Sequence, residues 1–578
     1  MNVNHGIRVG YNNIFDDKPL AFGEYFKGMG KKNIFSAISF LVNVAQPKSF
    51  IKDSRELIQI WFCPKNSEIR DHVLDRLSSE DKIENIISSL HLVEFVLQNE
   101  FDEIQTVSET EFEINLLKAY LVLNSRQDLI EDEGQKQLNL SPIESDKSFE
   151  ALYLISNFHD YDLTNYEIEF VFISQLIKSI EFFKYLENRQ ELSPHLEKFL
   201  QIYECNTWQE WLRQSLSIIT PLISEEKKAF FDFVVKNDFN YTRSCIFLDS
   251  FHLKEDTAYF QSDFIALRSS PLHKINEGHY RVLSDIFLIE KIFKSIQFTF
   301  SLKINNELPK EQRIKDFRAD HCDKFSEQTI FYNAVKWSFP NNSNWIQLSG
   351  ENFKSQNYSS EPDYYVRFKN KIFLFESKDV FLKGDEKQSN NYQILKKALG
   401  EKFYFLVDKS EKKEFKAILQ LIENIKRILS KFYQKCDADY ESKNIKIYPI
   451  LVTHDRQFDS FGVNALLNKW FLKELSIIRK EYDISRVQPL VLINIDTFLL
   501  HHYILKQRDR LKFEDLIDKY FKMVNFDSNN CKNLAELEQK YRNSIMSFSL
   551  FAQNEIDKHR LNRYPSMLTE YLKLLNSN

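Results

Sequence analysis

The chain has 578 residues, of which 43% are hydrophobic and 28% are charged. This length exceeds one ordinary domain and predicts about two to four domains with hydrophobic cores. The formal net charge of −6 excludes a protein that is basic over its whole surface, so a nucleic-acid partner requires a local positive patch.

The sequence shows no targeting signal, no membrane segment and no closely spaced cysteine pair. The six cysteines are widely scattered without a CxxC pair, which favours a reducing compartment and provides no zinc site. The first residues lack a basic start followed by an apolar core, which argues against secretion. No stretch reaches the ~18–20 uncharged apolar residues that a membrane helix requires. We therefore expect a cytoplasmic protein without a membrane partner.

Residues 1–304 are predicted to form a mainly helical region. Gly and Pro number only 11 and 13, so tight turns are few and long helices are favoured. In residues 78–98 and 166–188, apolar side chains recur at steps of three and four. The strongly acidic residues 100–113 indicate a solvated surface, and residues 127–146 are predicted to form an exposed loop.

Helices and strands alternate from residue 305, which predicts an α/β domain over 305–507 followed by a helical C-terminal segment over 508–578. The predicted helices and strands of this domain are, in chain order, a helix over 320–339, strands over 345–348, 364–369 and 371–376, a helix over 412–433, a strand over 446–452, a helix over 463–475 and a strand over 489–495. A variable stretch separates the third strand from the second helix.

Residues 361–378, EPDYYVRFKNKIFLFESK, are typical of a β-hairpin with its loop at Lys369-Asn370. This loop predicts the cross-strand pairs Phe368–Lys371, Val366–Phe373 and Tyr364–Phe375 on one face, and Arg367–Ile372, Tyr365–Leu374 and Asp363–Glu376 on the other.

The pair of Asp363 and Glu376 is the unusual feature of this hairpin. Directly opposed residues lie about 4.5–5.5 Å apart at Cβ, and like charges so placed destabilise a sheet. A raised pKa or a bound cation must offset the repulsion. Because Lys378 lies two residues beyond Glu376, it projects from the same face of the strand. The hairpin therefore predicts a hard-metal site beside an ammonium group.

The tripeptide alone does not identify such a site, because it recurs as Glu441-Ser442-Lys443 between polar flanks, before a strand. In the hairpin, Pro362-Asp363 and a strand ending in Glu376-Ser377-Lys378 resemble the signature of the PD-(D/E)xK phosphodiesterase superfamily. The order of elements over residues 320–455 is similar to that family's restriction-endonuclease-like core. The resemblance implies an α/β core with a mixed sheet flanked by helices, and it does not extend to residues 1–300.

The resemblance also implies roles for the acidic residues. Asp363, Glu376 and the backbone carbonyl of Ser377 would hold Mg²⁺ or Mn²⁺. Lys378 would position the attacking water or stabilise the charge that develops on the phosphate. The family core often carries a glutamate on its preceding helix, and Glu327 is the matching residue.

Substrate contacts are implied less directly. The family's next helix often adds a glutamine or lysine, for which Gln420 is the candidate. The insertion over residues 379–411 is longer than usual, so Lys396 and Lys397 are alternative contacts for phosphate. Further basic residues are candidates for a groove along the DNA backbone, namely Arg313, Lys315, Arg318, Lys383, Lys387 and the helix over 412–431.

A nuclease of this type with a large helical attachment resembles bacterial restriction and anti-phage defence effectors. DNA is then the expected substrate, and the helical regions would sense a trigger or bind a protein partner. A homodimer is expected by analogy, since many enzymes of this fold cut two strands as dimers. Two alternatives stay open: an RNA-cleaving, toxin-like effector of the same fold, and a catalytically idle scaffold that binds nucleic acid or protein.

Overall fold

Helices outnumber strands in this computed structural model, which describes residues 7–47, 49–140, 149–224, 230–253, 262–407, 411–441, 444–526, 531–561 and 564–576. The strands are β1 Ile7–Arg8, β2 Asp81–Lys82, β3 Asp232–Val234, β4 Leu272–Asn276, β5 His279–Val282, β6 Trp345–Ser349, β7 Tyr364–Phe368, β8 Lys371–Lys378, β9 Phe405–Val407, β10 Lys413–Phe415, β11 Lys446–Thr453 and β12 Val491–Asn494.

The longer helices before the five-stranded sheet are α1 Lys31–Val44, α2 Ser54–Trp61, α3 Ser67–Arg76, α4 Ile86–Gln98, α5 Glu109–Leu140, α6 Phe149–Asn157, α7 Ile168–Glu187, α8 Ser193–Ile202, α9 Trp208–Ser224, α10 Tyr241–Asp249 and α11 over residues 317–338. The longer helices after β8 are α12 Tyr392–Phe403, α13 Ala417–Leu429, α14 Val463–Ile478, α15 Ile495–Gln507, α16 Phe513–Val524, α17 Leu534–Ser544, α18 Phe548–Lys558 and α19 Leu568–Asn576.

The chain forms two compact units. The first comprises Met1–Lys136, Leu163–Gln175 and Glu197–Thr299, and the second comprises Gln137–Asp162, Leu176–Leu196 and Phe300–Asn578. This division differs from the three ranges expected from the sequence. The second unit takes in the C-terminal helices and two earlier segments because their apolar side chains share its cores: Leu154 and Ile155 of α6 belong to one core, and Phe513 of α16 contacts Phe373 of β8.

The first unit is mainly helical, as predicted, but it also contains short strands that the sequence did not predict. β3, β5 and β4 form an antiparallel sheet in that order, and β1 pairs with β2 in parallel. The predicted helix over 78–98 begins only at Ile86, where Asn85 caps it by accepting a hydrogen bond from the backbone N–H of Ser88 at 2.9 Å. These strands have two to five residues, too few for alternation to stand out in the sequence.

The exposed loop predicted over 127–146 is wrong for residues 127–140, which continue α5, while residues 141–148 lie outside the described residues. No proline interrupts this part of the chain, and it is rich in Leu, Glu and Gln, which favour helix. Gln127 and Leu138 are buried, so the helix has inward-facing positions despite its acidic composition.

The second unit contains a mixed five-stranded sheet in the order β12–β11–β8–β7–β6. β6, β7 and β8 are antiparallel neighbours, whereas β8, β11 and β12 are parallel. The predicted hairpin register is confirmed over five pairs: Tyr364–Phe375, Tyr365–Leu374, Val366–Phe373, Arg367–Ile372 and Phe368–Lys371. Asp363 lies immediately before the first of these pairs.

Both faces of this sheet are covered by helices. Tyr365, Ile372 and Leu374 belong to a core that also contains Leu421 and Ile425 of α13 and Leu467 and Phe471 of α14. On the other face, Phe373 and Phe375 contact rings from α11, α15 and α16, including Phe331, Phe498 and Phe513. The alternating aromatic and aliphatic side chains of β8 are therefore buried on both sides, as in the interior strand of a layered α/β fold.

Two helix boundaries are informative. α13 begins at Ala417, five residues later than predicted, because Lys413–Phe415 pair with Phe405–Val407 as the antiparallel strands β10 and β9. α11 agrees with the predicted helix over 320–339, but its central stretch His321–Phe331 is π-helical. A π-helical turn uses hydrogen bonds that span five residues and is a less regular conformation than the α-helix.

Among the described residues, every helix is too short or too polar to span a bilayer.

We predict that Leu374→Ala lowers the free energy of unfolding by about 2–5 kcal/mol, because this side chain is fully buried between β8 and the helices on that face. Urea unfolding measures the change. Leu472→Ala is the matched control, since Leu472 of α14 is 42% exposed and should cost far less. Equal losses for the two variants would contradict the described core.

Candidate active site

Four charged side chains interact where β8 ends. Glu376 and Lys378 are among the last three residues of β8, and Asp363 precedes β7. Glu327 lies in the π-helical stretch of α11. The backbone N–H of Ser377 donates to Asp363 Oδ2 at 2.7 Å, and Lys378 Nζ donates to Glu376 Oε1 at 2.7 Å. The arrangement predicted from the hairpin, with the acids and the lysine at one edge, is therefore present.

Burial raises the pKa of both strand acids. Glu376 is only 2% exposed. Burial raises its pKa, and the neighbouring charge of Asp363 raises it further, although Lys378 opposes both effects. The pKa of Asp363 is also raised, first by burial. The effect of Asp363 on Glu376 has the sign that the hairpin position of the two acids predicts, but burial is the larger cause.

Lys378 responds in the opposite sense. Burial by itself lowers the pKa of a lysine, but the charges of Glu376 and Asp363 outweigh that effect and raise it. The ammonium is therefore held in its charged form at neutral pH. Its side chain remains 21% exposed, so it can reach a group that enters from solvent.

Glu327 takes part in the same electrostatic cluster. Its pKa is raised by burial and then by the charge of Asp363. Tyr332, one π-helical turn along α11, donates its hydroxyl proton to Glu327 Oε1 at 3.2 Å. A Cβ at Gly350 would lie 3.1 Å from that hydroxyl, so a side chain there would press on Tyr332. The predicted helix glutamate is thus held by Tyr332 and interacts electrostatically with Asp363.

The sequence reading missed the polar neighbours that support these residues. Asp379, directly after Lys378, accepts two hydrogen bonds from the guanidinium of Arg318 at 2.8 and 3.0 Å and one from Ser326 Oγ at 2.6 Å. Burial would raise the pKa of Asp379, but Arg318 outweighs it and holds the pKa well below its usual range. An acidic residue directly after the Glu-x-Lys tripeptide was the available signal.

A second missed neighbour is His454, which follows β11. Its Nε2 lies 2.8 Å from Ser377 Oγ, and burial lowers its pKa to about 4, so the imidazole is neutral at neutral pH. Residues 377 and 452 are partners in the parallel ladder of β8 and β11. His454 was not recognisable in the sequence because only this pairing brings it to Ser377.

The residues predicted to contact substrate lie on α12 and α13, apart from the elements that carry the four charged residues. Gln420 lies in the first turn of α13, which packs against β8, and its Oε1 is buried without a hydrogen-bond partner. Lys396 and Lys397 both lie on α12. Lys396 Nζ is 5.3 Å from the ring of Tyr392, and Lys397, 80% exposed, is 3.9 Å from Glu401. Each of these contacts joins a lysine to another residue of α12.

Two of the basic residues assigned to a DNA groove are instead engaged inside the protein. Lys387 is 2% exposed, and its Nζ donates to Asp162 Oδ1 at 2.8 Å in a fully enclosed ion pair. Arg318 forms the bidentate pair with Asp379. A lysine or arginine with a buried carboxylate partner is held by that partner. Exposed candidates remain at Arg313, Lys315, Lys383 and Lys397.

The donor set fits a hard divalent cation. In the part of the chain that the structure describes, no group of three or more His, Cys, Asp and Glu side chains is arranged to hold a metal ion. The edge of β8 instead combines two carboxylates, Asp363 and Glu376, with the main-chain carbonyl of Ser377. All three are oxygen donors, which Mg²⁺ prefers. Both acids have raised pKa values, chiefly because they are buried, and a cation beside them would favour their ionised forms.

Comparison with known proteins adds no relative: no family model, curated protein or solved structure matches the chain.

We predict that Lys387→Met lowers the free energy of unfolding by about 3–5 kcal/mol, because it leaves the buried carboxylate of Asp162 without its cation. Urea unfolding measures this loss. The control, Lys397→Met, removes an exposed lysine and should leave stability close to wild type. A stable Lys387→Met protein with weakened DNA binding would instead restore Lys387 to the predicted groove.

Proposed function

We propose that the protein is a divalent-metal-dependent nuclease that hydrolyses phosphodiester bonds in DNA, and that its second unit is a restriction-endonuclease-like core. The observation that carries the proposal is the convergence of Asp363, Glu376 and Lys378 at one edge of a mixed sheet. Glu327 on the preceding helix belongs to the same charged cluster. The order of that sheet, an antiparallel hairpin followed by parallel strands, supports the family resemblance drawn from the sequence.

Phosphodiester hydrolysis requires an activated water, neutralisation of charge on the phosphorus oxygens and stabilisation of the leaving oxygen. Asp363, Glu376 and the carbonyl of Ser377 would hold Mg²⁺ or Mn²⁺. The bound ion would supply a water of lowered pKa and polarise the phosphate. The protein keeps Asp363 in place through the N–H of Ser377, so one acid is oriented by the backbone of the strand that carries the other.

Lys378 is best suited to stabilise charge. Since its pKa is raised, it retains its proton at neutral pH and cannot act as the base that deprotonates water. An ammonium donates hydrogen bonds, and an anionic phosphate oxygen can compete with Glu376 for them. Glu327, whose pKa is raised, is the nearby acid that could exchange a proton with a water near neutral pH.

The choice of DNA and the biological role come from the resemblance. Exposed basic residues in the second unit, among them Arg313, Lys315 and Lys383, are the candidates for contacts with backbone phosphates. The first unit would sense a trigger or bind a protein partner, as expected for restriction or anti-phage defence in the cytoplasm. A homodimer would allow two sites to cut two strands.

We predict that Asp363→Asn and Glu376→Gln abolish metal-dependent cleavage of plasmid DNA, because each removes a charged oxygen donor while keeping the side-chain shape. Lys378→Met should lower kcat by about 10²–10³-fold and retain metal binding, since it removes a charge-stabilising donor. Asp483→Asn, which alters an exposed carboxylate of the same unit, should cleave like wild type. Robust cutting by the Asp363→Asn protein would refute the site.

The substrate is tested with single- and double-stranded DNA and RNA of one sequence, each with Mg²⁺ and with Mn²⁺. We expect metal-dependent cleavage of double-stranded DNA, abolished by Glu376→Gln. Cleavage of RNA alone would support the toxin-like alternative. Binding without cleavage under every condition, unchanged by Glu376→Gln and by chelation of metal, would support an idle scaffold.

A further inference from the structure

Asp379 connects the two elements that carry the acidic cluster. It directly follows Lys378 at the end of β8, and it accepts the hydroxyl proton of Ser326, at 2.6 Å, from α11. Ser326 directly precedes Glu327. A single hydrogen bond therefore joins the residue after the strand lysine to the residue before the helix glutamate.

Arg318 strengthens this connection from the first turn of α11. Its guanidinium donates to both carboxylate oxygens of Asp379, at 2.8 and 3.0 Å, and to the main-chain carbonyl of the same residue at 3.1 Å. Because the main-chain carbonyl is also held, Arg318 restrains the backbone just beyond β8 as well as the carboxylate. Asp379 is thus bonded to two positions of α11 that lie on either side of the start of its π-helical stretch.

The environment makes these bonds strong. The side chain of Asp379 is 6% exposed, and Ser326 is 2% exposed. Charge-assisted hydrogen bonds gain strength where water is excluded, and a bidentate arginine pair adds a defined geometry. Glu327 lies in the π-helical stretch directly after Ser326, so the hydrogen bond from Ser326 to Asp379 holds the helix beside Glu327 against the end of β8.

We propose that Asp379 is a positioning residue, which with Arg318 and Ser326 holds Glu327 in register with Glu376 and Lys378. This inference rests on the proposed nuclease function. Asp379 itself would not touch substrate or metal; it sets the separation between the helix acid and the strand pair. Arg318, expected from the sequence to contact DNA, is thereby assigned to the geometry of the site.

A merely structural role would affect stability without affecting the site, and the chain offers a matched control. Asp437 is 3% exposed and accepts two hydrogen bonds from the guanidinium of Arg367, at 2.5 and 2.7 Å, and one from Tyr365 Oη at 2.7 Å. Arg367 lies at the hairpin-loop end of β7, opposite to the end that Asp363 precedes. Asp437, which follows α13, is bonded to β7 and not to β8 or α11, so Asp437→Asn removes the same chemistry without touching the two elements that Asp379 joins.

The experiment compares Asp379→Asn, Ser326→Ala and Asp437→Asn with wild type in the full-length protein. Four quantities are measured: kcat and KM for DNA, the Mn²⁺ dissociation constant from electron paramagnetic resonance without nucleic acid, and the free energy of unfolding in urea. For Asp379→Asn we expect kcat to fall and the Mn²⁺ dissociation constant to rise, each by about 10–100-fold, with KM unchanged. Ser326→Ala, which removes one bond, should show smaller changes in the same direction. Asp437→Asn should lose stability only.

Wild-type kcat and Mn²⁺ affinity in both Asp379→Asn and Ser326→Ala would overturn the inference, as would equal losses in Asp437→Asn. If Asp379→Asn does not fold, Ser326→Ala decides between these outcomes. A wild-type protein that binds Mn²⁺ but cleaves no nucleic acid would overturn the proposed function, while the Mn²⁺ measurements still test the positioning role. A wild-type protein that neither binds Mn²⁺ nor cleaves would overturn both.

Discussion

The central physical constraint in this protein is an acidic side chain buried at the end of an interior strand. Glu376 is 2% exposed and lies near a second acid, Asp363, so ionising both is costly unless cations are close. Lys378 supplies one cation from the same strand face. Burial raises the pKa of both acids, and the charges of these acids in turn hold Lys378 in its protonated form.

The mixed topology of the sheet determines which groups surround that charge. β8 is antiparallel to β7 on one side and parallel to β11 on the other. The antiparallel side places Asp363, from the start of β7, against the end of β8. The parallel side brings the end of β11 to the same edge, which places His454 against Ser377. Neither arrangement alone would collect an acid and an imidazole around one tripeptide.

Charge in the second unit is divided between buried pairs and the surface. Arg318, Arg367 and Lys387 each face a buried aspartate within hydrogen-bonding distance. Such pairs add little net stability compared with apolar packing, but breaking one leaves an uncompensated charge, so they specify how elements fit together. The basic residues available to a nucleic acid are consequently fewer than composition suggests, and they are the exposed ones outside these pairs.

Local sequence was sufficient to predict the hairpin and the shared edge of its charged residues. A two-residue loop between two apolar runs fixes the strand register, because side chains alternate with a period of two. That register predicted the residue pairs of β7 and β8. It also predicted that Asp363, Glu376 and Lys378 share one edge. Periodicity also predicted most helices and strands over 320–495, but not α12, β9 and β10, which lie in or beside the stretch that the sequence left unassigned. The short strands of the first unit and the continuation of α5 to Leu140 were missed, since their signals span few residues or are hidden by acidic composition.

Only the tertiary structure decided which charged residues have partners. Asp379 is more than fifty residues along the chain from both Ser326 and Arg318, yet the three form one network. The sequence does not distinguish Lys387 from a surface lysine. The tertiary structure buries it against Asp162. Hydrophobic periodicity predicts which face of its own helix or strand a residue occupies. Pairing between distant elements depends on how those elements pack. The local sequence does not contain that information.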